Sequence, residues 1–271
     1  MLPDAFRPVY PKRYRLLRLI EYIILGNRVS RRLFTPIYHR FWPFLYAALY
    51  RPECLDYNLD PYTIYYVDPA DIERISGRND ATTNRRGHFG SVQPGEWDRK
   101  YPTASSPMQR LYMAHQFSRS PFYNGLEQRY LDGKEWKNTE LHHTVAENSF
   151  KTDSDVECTN WYEDIDELYE AIRTEGYRAQ HEIAGGTYCT SGGFGIVDIL
   201  ANEITVDIGR DGTLRFVDGK HRLAIAKVLD LDTIPVSIAV RHDRWADTVE
   251  SNAKEAEKIG ATGLTTLSER I

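Results

Sequence analysis

The segment from Glu203 to Val240 constrains the fold most strongly, because it places strands and a helix in quick succession. Ile204, Val206 and Ile208 alternate with polar residues, as on a strand with one buried face. The elements that we predict are a strand at Glu203–Ile208, a hairpin turn at Arg210-Asp211-Gly212, a returning strand at Leu214–Val217, a helix at Leu223–Leu229 and a third strand at Ile234–Val240. This order predicts an α/β (α+β) fold with a small mixed sheet.

The residues between the second strand and the helix are Asp218-Gly219-Lys220-His221-Arg222, which we name the 218–222 loop. Glycine lets the backbone come close to a ligand, and the start of a helix offers unpaired N–H groups and a positive dipole end. Arg222 can bind a phosphate with two hydrogen bonds, and His221 can donate one or stay neutral and hold the loop. The alternative is an ordinary strand-to-helix turn, since Asp-Gly is common in turns.

The order of motifs around this loop resembles the ParB/sulfiredoxin superfamily. A helix ending in Glu-Gly-Tyr-Arg-Ala-Gln leads to strands, a Gly-x-His-Arg loop, a helix and an Ile-Pro-Val strand. Leu168–Gln180 and Glu203–Val240 carry this pattern, and residues 181–202 form an insertion within it. Ile64–Asp68 would be the first strand, displaced by a second insertion at about 99–160. The resemblance implies a ParB/sulfiredoxin-like core with large helical insertions.

Three regions follow from this reading of the chain. Residues 1–60 are expected to form a basic, aromatic helical extension, because residues 13–25 repeat apolar side chains at helical spacing. Residues 61–243 would be the ParB/sulfiredoxin-like domain with its two insertions. Residues 244–271 are predicted to be a C-terminal helix and tail.

Charge is divided unevenly along the chain. Residues 1–51 contain ten Lys or Arg and two Asp or Glu, whereas the remaining residues contain 24 and 37. A basic, aromatic segment is typical of a helix that lies in a membrane interface, so residues 13–50 are a candidate for peripheral membrane contact. The alternative is a helical hairpin packed on the body. Nucleic acid is not an expected partner, because the body is acidic.

Cysteine usage favours a reduced, cytoplasmic setting. This setting is compatible with membrane association through residues 13–50. Cys54, Cys158 and Cys189 are far apart, and no CxxC pair exists. The sequence contains neither a signal-peptide pattern nor an apolar run of the length that a spanning helix needs.

Departures from the superfamily narrow the function that the resemblance implies. Sulfiredoxins place a catalytic cysteine just before His-Arg, where this chain has Lys220. Chromosome-partitioning ParB proteins continue into a helix-turn-helix domain, but only 28 residues follow Asp243. The 218–222 loop is most similar to the Val-Asp-Gly-His-His-Arg loop of archaeal free-serine kinases. That resemblance implies ATP or another nucleoside di- or triphosphate, Mg²⁺, and transfer to a hydroxyl of a small-molecule, sugar or lipid-linked acceptor.

Acidic residues must supply a base and a metal ligand for such a reaction. The kinases place a base in the segment after the first strand, where this chain offers Glu96 and Asp98. The alternative for this pair is a surface turn. Asp218 could orient His221 or bind Mg²⁺. Gln180 matches a superfamily position near the nucleotide, and its alternative is a simple turn residue.

Two other functions remain open from the sequence. One is a non-catalytic ParB-like protein that binds nucleotide or associates with DNA, with residues 1–51 as its basic contact. The other is a ParB-like nuclease that cuts DNA with the help of a metal. We take the kinase-like phosphotransferase as the main hypothesis, with Glu96, Asp98 and His221 as its catalytic candidates.

Overall fold

The computed structural model describes residues 64–78, 90–102, 111, 114–147, 155–183 and 202–249. The expected helical extension at 1–60, most of the insertion at 181–202 and most of the predicted tail at 244–271 lie outside the described residues. What is described forms an α/β fold with a six-stranded mixed sheet, as the sequence predicted.

Six strands make up the sheet, and β6 is its longest. The strands are β1 (Ile64–Val67), β2 (Arg74–Ile75), β3 (Ser91–Gln93), β4 (Ile204–Ile208), β5 (Leu214–Asp218) and β6 (Ile234–His242). They lie in the order β1-β6-β4-β5-β2, and β3 also pairs with β6. The β4–β5 hairpin and β6 match the predicted strands. β2 and β3 fall where the sequence had predicted no strand, because strands of two or three residues leave little periodicity to detect.

The sheet is mixed in direction. β4 runs parallel to β6 and antiparallel to β5, and β2 runs parallel to β5. β1 is antiparallel to the first half of β6, and β3 is parallel to its last three residues. Since β4 occupies one edge of β6, β1 and β3 share the other edge.

Helices cover the apolar side of this sheet. They are α1 (Pro121–Tyr130), α2 (Glu140–Glu147), α3 (Asp155–Glu175), the single turn α4 (Gln180–Ile183) and α5 (Lys220–Val228), and residues 243–249 are also helical. In α1, Ser120 caps the first turn with its hydroxyl and Pro121 occupies the first position. α3 ends at Gly176, whose φ of +81° fits the predicted glycine cap. None of the helices in the described ranges is both long enough and apolar enough to cross a membrane.

The two faces of the sheet differ in chemistry. One face joins the hydrophobic core, where the rings of Phe117 and Phe216 lie 4.9 Å apart between centroids. Alternation along the strands sends other side chains to the opposite face. That face is polar although it is buried: Thr205 and Ser237 contact each other there through their hydroxyls, 3.2 Å apart, and Asp207 and Arg215 are also buried.

Candidate functional site

The 218–222 loop folds as a tight corner between β5 and α5. Gly219 caps α5 with φ +95°, a left-handed conformation that L side chains rarely adopt. A Cβ at this position would lie 2.9 Å from the Cα of Ile204, so the corner is also pressed against β4. The Asp218 carboxylate accepts a hydrogen bond from the Gly219 N–H at 2.7 Å. Because Gly219 has no side chain, the N-cap residue itself gives the first turn of α5 no side-chain cap.

Arg222 lies beside a buried carboxylate that the sequence analysis did not single out. Its Nη1 is 3.6 Å from Oε2 of Glu203, which lies just before β4. The Glu203 side chain is fully buried, and that of Arg222 is 17% exposed. At this distance the two groups form an ion pair without a hydrogen bond, so Oε2 and Nη1 both keep unused hydrogen-bonding capacity.

Two further groups from the chain just after α3 complete this corner. The Gln180 N–H donates to Oε1 of Glu203, which places Gln180 at the site through its backbone. The Tyr177 hydroxyl is buried close to Arg222, which acts on it through its charge and as a weak hydrogen-bond donor, and it also feels the charge of Glu203. It makes no hydrogen bond of good geometry with a described residue. We name Tyr177, Glu203 and Arg222 the buried polar cluster. Buried polar atoms without a partner are uncommon in folded proteins and point to a missing ligand or water.

Burial sets the protonation of this cluster. It raises the pKa of Glu203 to about 7, against the opposing effects of the Gln180 N–H and of Arg222. A carboxyl with this pKa exchanges its proton near neutral pH, which suits a general acid or base. Burial also raises the pKa of the Tyr177 hydroxyl, so that group stays protonated at neutral pH and can donate a hydrogen bond.

His221 points into an aromatic environment and not toward a carboxylate. Its ring stacks on Phe122, with 5.1 Å between centroids, and lies 6.1 Å from the ring of Trp161. Burial lowers the pKa of His221 to about 4, and the charges of Lys220 and Arg222 act in the same direction. His221 is therefore neutral at physiological pH, and the loop carries two cationic side chains. Lys220 extends over the Phe122 ring, with Nζ 6.0 Å from the centroid.

Glu96 and Asp98, the candidates for the base from the sequence, lie at the turn of the β4–β5 hairpin, where Arg210 binds both. Arg210 binds Asp98 through two nitrogens, at 2.8 and 2.7 Å, and reaches Glu96 at 3.1 Å. Arg210 lies in the turn of the β4–β5 hairpin, whereas Asp218 is the last residue of β5, at the open end of the hairpin. The rise per residue of a strand puts the two ends about 15 Å apart. Burial acts against ionisation of Asp98, but its bonds with Arg210 prevail and lower its pKa to about 2. A carboxylate held in this way is a poor proton acceptor.

Among the described residues, Asp218 is the carboxylate of the 218–222 loop that a metal ion could use. No group of three or more His, Cys, Asp or Glu side chains is placed to hold a metal ion within the described ranges. Asp218 uses one oxygen to bind the Gly219 N–H. Mg²⁺ often takes one or two carboxylates together with substrate phosphates, so Asp218 fits that limited role.

Sequence reasoning found the loop but missed Glu203 and Tyr177. Both residues lie within segments that carried the resemblance, Tyr177 in Glu-Gly-Tyr and Glu203 at the start of a strand. The available signal was the position of Glu203 directly before a strand of alternating apolar residues. A glutamate there is expected to be partly buried, and buried glutamates are almost always paired with another group.

Comparisons with known proteins give no significant match: no family model, no curated protein and no solved structure matches this chain. The likeness to the ParB/sulfiredoxin superfamily therefore rests on the sequence motifs of Leu168–Gln180 and Glu203–Val240 alone.

Proposed function

We propose that the protein is a nucleotide-dependent phosphotransferase that acts on a hydroxyl group. The observation that carries the proposal is the buried polar cluster at the start of α5, where a guanidinium and a carboxyl with a pKa of about 7 lie 3.6 Å apart. Phosphoryl transfer needs these two functions together, a cation for the phosphate and a proton acceptor for the attacking hydroxyl.

In this proposal the first turn of α5 binds the phosphates of the nucleotide. The positive end of the helix dipole attracts an anion, and Arg222 and Lys220 add charge. Gly219 lets the loop backbone pack directly against Ile204, which fixes the start of α5 beside Glu203. Gln180 lies beside the same corner and would border the nucleotide. Mg²⁺, if bound with ATP or another nucleoside phosphate, would be held by the phosphates with Asp218 and would neutralise their charge.

Glu203 takes the role of base in this proposal. Its Oε2 has unused acceptor capacity, so an acceptor hydroxyl can donate to it and lose its proton to it. The hydroxyl oxygen then bonds to the terminal phosphorus while the bond from that phosphorus to the nucleotide breaks, and the nucleotide leaves with one phosphate fewer. The Tyr177 hydroxyl can orient the same substrate by donating a hydrogen bond. The acceptor belongs to the broad class of small-molecule, sugar or lipid-linked alcohols. Glu96 and Asp98 have no part in this chemistry because Arg210 holds them at the far end of the hairpin.

The test incubates the full-length chain with Mg²⁺ and radiolabelled ATP, ADP or CTP, with serine, glycerol and glucose as acceptors. Arg222→Ala should abolish nucleotide binding. Glu203→Gln should retain binding but reduce turnover by about 100-fold or more, in the range of a lost general base. Glu96→Gln is the matched control, because it makes the same chemical change in a carboxylate outside the cluster, and should keep full turnover.

Failure would take two distinct forms. Glu203→Gln with unchanged turnover would exclude the assigned base. Nucleotide binding without transfer to any acceptor, together with salt-sensitive DNA binding, would favour the non-catalytic, DNA-associated alternative, and metal-dependent DNA cleavage would favour a nuclease.

A further inference from the structure

The polar face of the sheet contains a second group of charges, separate from the buried polar cluster. Arg215 is the Cα partner of Arg74 on β2 and of Asp207 on β4. Residues paired across neighbouring strands point to the same face, so these three side chains form a row across β2, β5 and β4. Arg215, in the middle of the row, is 4% exposed, whereas Arg74 at its edge is exposed.

Asp207 has no acceptor capacity left for Arg215. One of its oxygens accepts from the Ser76 hydroxyl at 2.6 Å and from Nε of Arg78 at 2.7 Å. The other accepts from Nη2 of Arg78 at 3.2 Å and from the Val240 N–H at 3.0 Å. Four hydrogen bonds match the number of lone pairs that a carboxylate presents. The carboxylate closest in the row is therefore fully used by other donors.

Arg215 consequently has no counter-ion in the described part of the chain. No ion pair or hydrogen bond joins its guanidinium to a described residue, and its Nε is buried without a partner. The charges of Asp211, Asp98 and Asp207 act on it from a distance. Each of these carboxylates accepts its hydrogen bonds from other groups: Asp211 from Thr213, Asp98 from Arg210, and Asp207 from Ser76 and Arg78. Burial lowers the pKa of Arg215, which reflects the unfavourable environment of its charge. A buried guanidinium whose Nε has no hydrogen-bond partner is costly to the fold, and a bound anion would remove that cost.

We propose that Arg215, together with Arg74, binds a small oxyanion on the polar face of the sheet. The two guanidiniums start from Cα atoms on adjacent strands, about 4.8 Å apart, so an anion between them would relieve their repulsion. A tetrahedral phosphate suits the site best, because each guanidinium can donate two parallel hydrogen bonds to it. Exposed Arg74 provides the approach from solvent. The site is independent of the proposed phosphotransfer: Arg215 lies three residues before Asp218 on β5, about 10 Å along the strand.

The experiment titrates the full-length chain with inorganic phosphate by calorimetry and by thermal shift, against sodium chloride at equal ionic strength. Phosphate should raise the melting temperature in a saturable way that chloride does not reproduce. Arg215→Met should weaken phosphate binding by about 100-fold, as expected for a lost buried charge partner. In phosphate-free buffer the same variant should melt no lower than the wild type, because the substitution removes a buried guanidinium whose Nε has no hydrogen-bond partner.

Three further variants complete the design. Arg74→Gln changes an exposed residue, should fold normally, and should weaken phosphate binding by about tenfold. Arg222→Ala should keep the part of the phosphate response that Arg215→Met removes, whatever phosphate binding is lost at the 218–222 loop, and this distinguishes the two sites. Arg173→Gln alters an exposed arginine on α3 and serves as the neutral control. A parallel titration with acetate tests a carboxylate in place of phosphate. The site is supported if either anion binds in a saturable way to the wild type and this binding is lost in Arg215→Met.

The proposal is overturned if Arg215→Met and Arg74→Gln bind phosphate as tightly as the wild type. It is equally overturned if phosphate acts no differently from chloride on the wild type while Arg215→Met melts lower in phosphate-free buffer. That combination would make Arg215 a structural residue. Should Arg215→Met fail to fold, Arg74→Gln alone decides the question.

Discussion

Gly219 is the residue on which the geometry of the 218–222 loop depends. Two separate constraints act on it, the positive φ and the 2.9 Å approach of a would-be Cβ to Ile204. We expect Gly219→Ala to lower the free energy of unfolding by about 3 kcal/mol, since backbone strain and steric displacement add. Gly133→Ala is the matched control, because Gly133 has φ +70° with nothing within 4 Å of a Cβ. Gly133→Ala should lower the free energy of unfolding by about 1 kcal/mol. Urea denaturation measures the loss in both variants. Equal losses in the two variants would show that the contact with Ile204 is unimportant.

Glu203 should make the stability of the fold depend on pH. Its pKa is raised from 4.5 to about 7, so the folded protein binds a proton between these values that the unfolded chain releases. Its contribution is therefore fully present below about pH 4.5 and is lost as the pH rises through about 7. Glu203→Gln keeps the shape of the protonated side chain. Relative to the wild type, this variant should gain about 3 kcal/mol of unfolding free energy as the pH rises from 4.5 to 8.

Urea denaturation of the wild type and of Glu203→Gln at pH 5, 7 and 8.5 measures this difference. Glu96→Gln, which changes an exposed carboxylate, should follow the wild type at all three values. A difference between Glu203→Gln and the wild type that does not change with pH would mean that Glu203 stays ionised in the folded protein. The increase in stability would also show that any loss of turnover in Glu203→Gln is not a folding defect.

Among the elements, the β4–β5 hairpin links two regions that serve different purposes. Its open end leads to the buried polar cluster, and its turn carries Arg210, which binds the segment at 95–98. His242 lies against the same segment, with Nε2 2.9 Å from the Gly95 carbonyl oxygen. These contacts join β6, the hairpin turn and the 3₁₀ turn Trp97–Arg99, so the cluster around Arg210 stabilises the sheet.

Asp98→Asn tests that structural role. Asp98 is 2% exposed and accepts three hydrogen bonds from Arg210, so its loss should lower the free energy of unfolding by about 2 kcal/mol at pH 7. Because the pKa of Asp98 is depressed from 3.8 to about 2, its contribution is present above pH 3.8 and is lost as the pH falls through about 2. Turnover per folded molecule should remain unchanged. A folded Asp98→Asn protein without turnover would return Asp98 to the catalytic candidates.

The elements show which parts of the fold could be predicted from sequence. The hairpin, α5 and β6 follow one another with short turns, so local periodicity was sufficient to predict them. α3 ends at Glu175, directly before Gly176, in agreement with the helix end that the Glu-Gly-Tyr-Arg-Ala-Gln motif indicated.

Long-range contacts account for what the sequence did not reveal. Glu96 and Asp98 were placed near the loop by analogy of order along the chain, but Arg210 binds them more than a hundred residues away in sequence. Glu203 and Arg222 come together only because β4 begins where α5 begins, which depends on the register of the hairpin. No spacing rule in one sequence reports such a register across a turn.

Across the whole molecule, the structure separates an apolar and a polar side of one sheet. The apolar side provides the core, with α1, α3 and α5 packed over β4, β5 and β6. The polar side buries Asp207, Arg215 and Ser237, residues that a sheet open to water on one side would expose. The buried polar cluster and the proposed Arg215 site thus lie at separate places on this sheet.

The uneven distribution of charged residues along the chain leads to a prediction about membrane binding. Residues 1–51 have an excess of eight basic side chains, and the rest of the chain has an excess of thirteen acidic ones. If the basic segment contacts a membrane, the full-length chain should sediment with vesicles containing phosphatidylserine and not with phosphatidylcholine vesicles. Because each basic residue near an anionic surface contributes about 1 kcal/mol, replacing Arg13, Arg15 and Arg18 with Gln should weaken binding by about 100-fold.

Salt provides the control for this prediction, since raising it from 0.05 to 0.5 M, on the order of a threefold shorter screening length, should release the wild type. Replacing Arg129, Arg173 and Arg178 with Gln removes the same charge from the described body and should leave vesicle binding unchanged. Absence of binding to anionic vesicles at low salt would mean that the basic segment finds its negative partner on the acidic body of the same chain. In that case the acceptor of the proposed reaction would have to reach the enzyme from solution, and lipid-linked alcohols would lose their place among the candidate substrates.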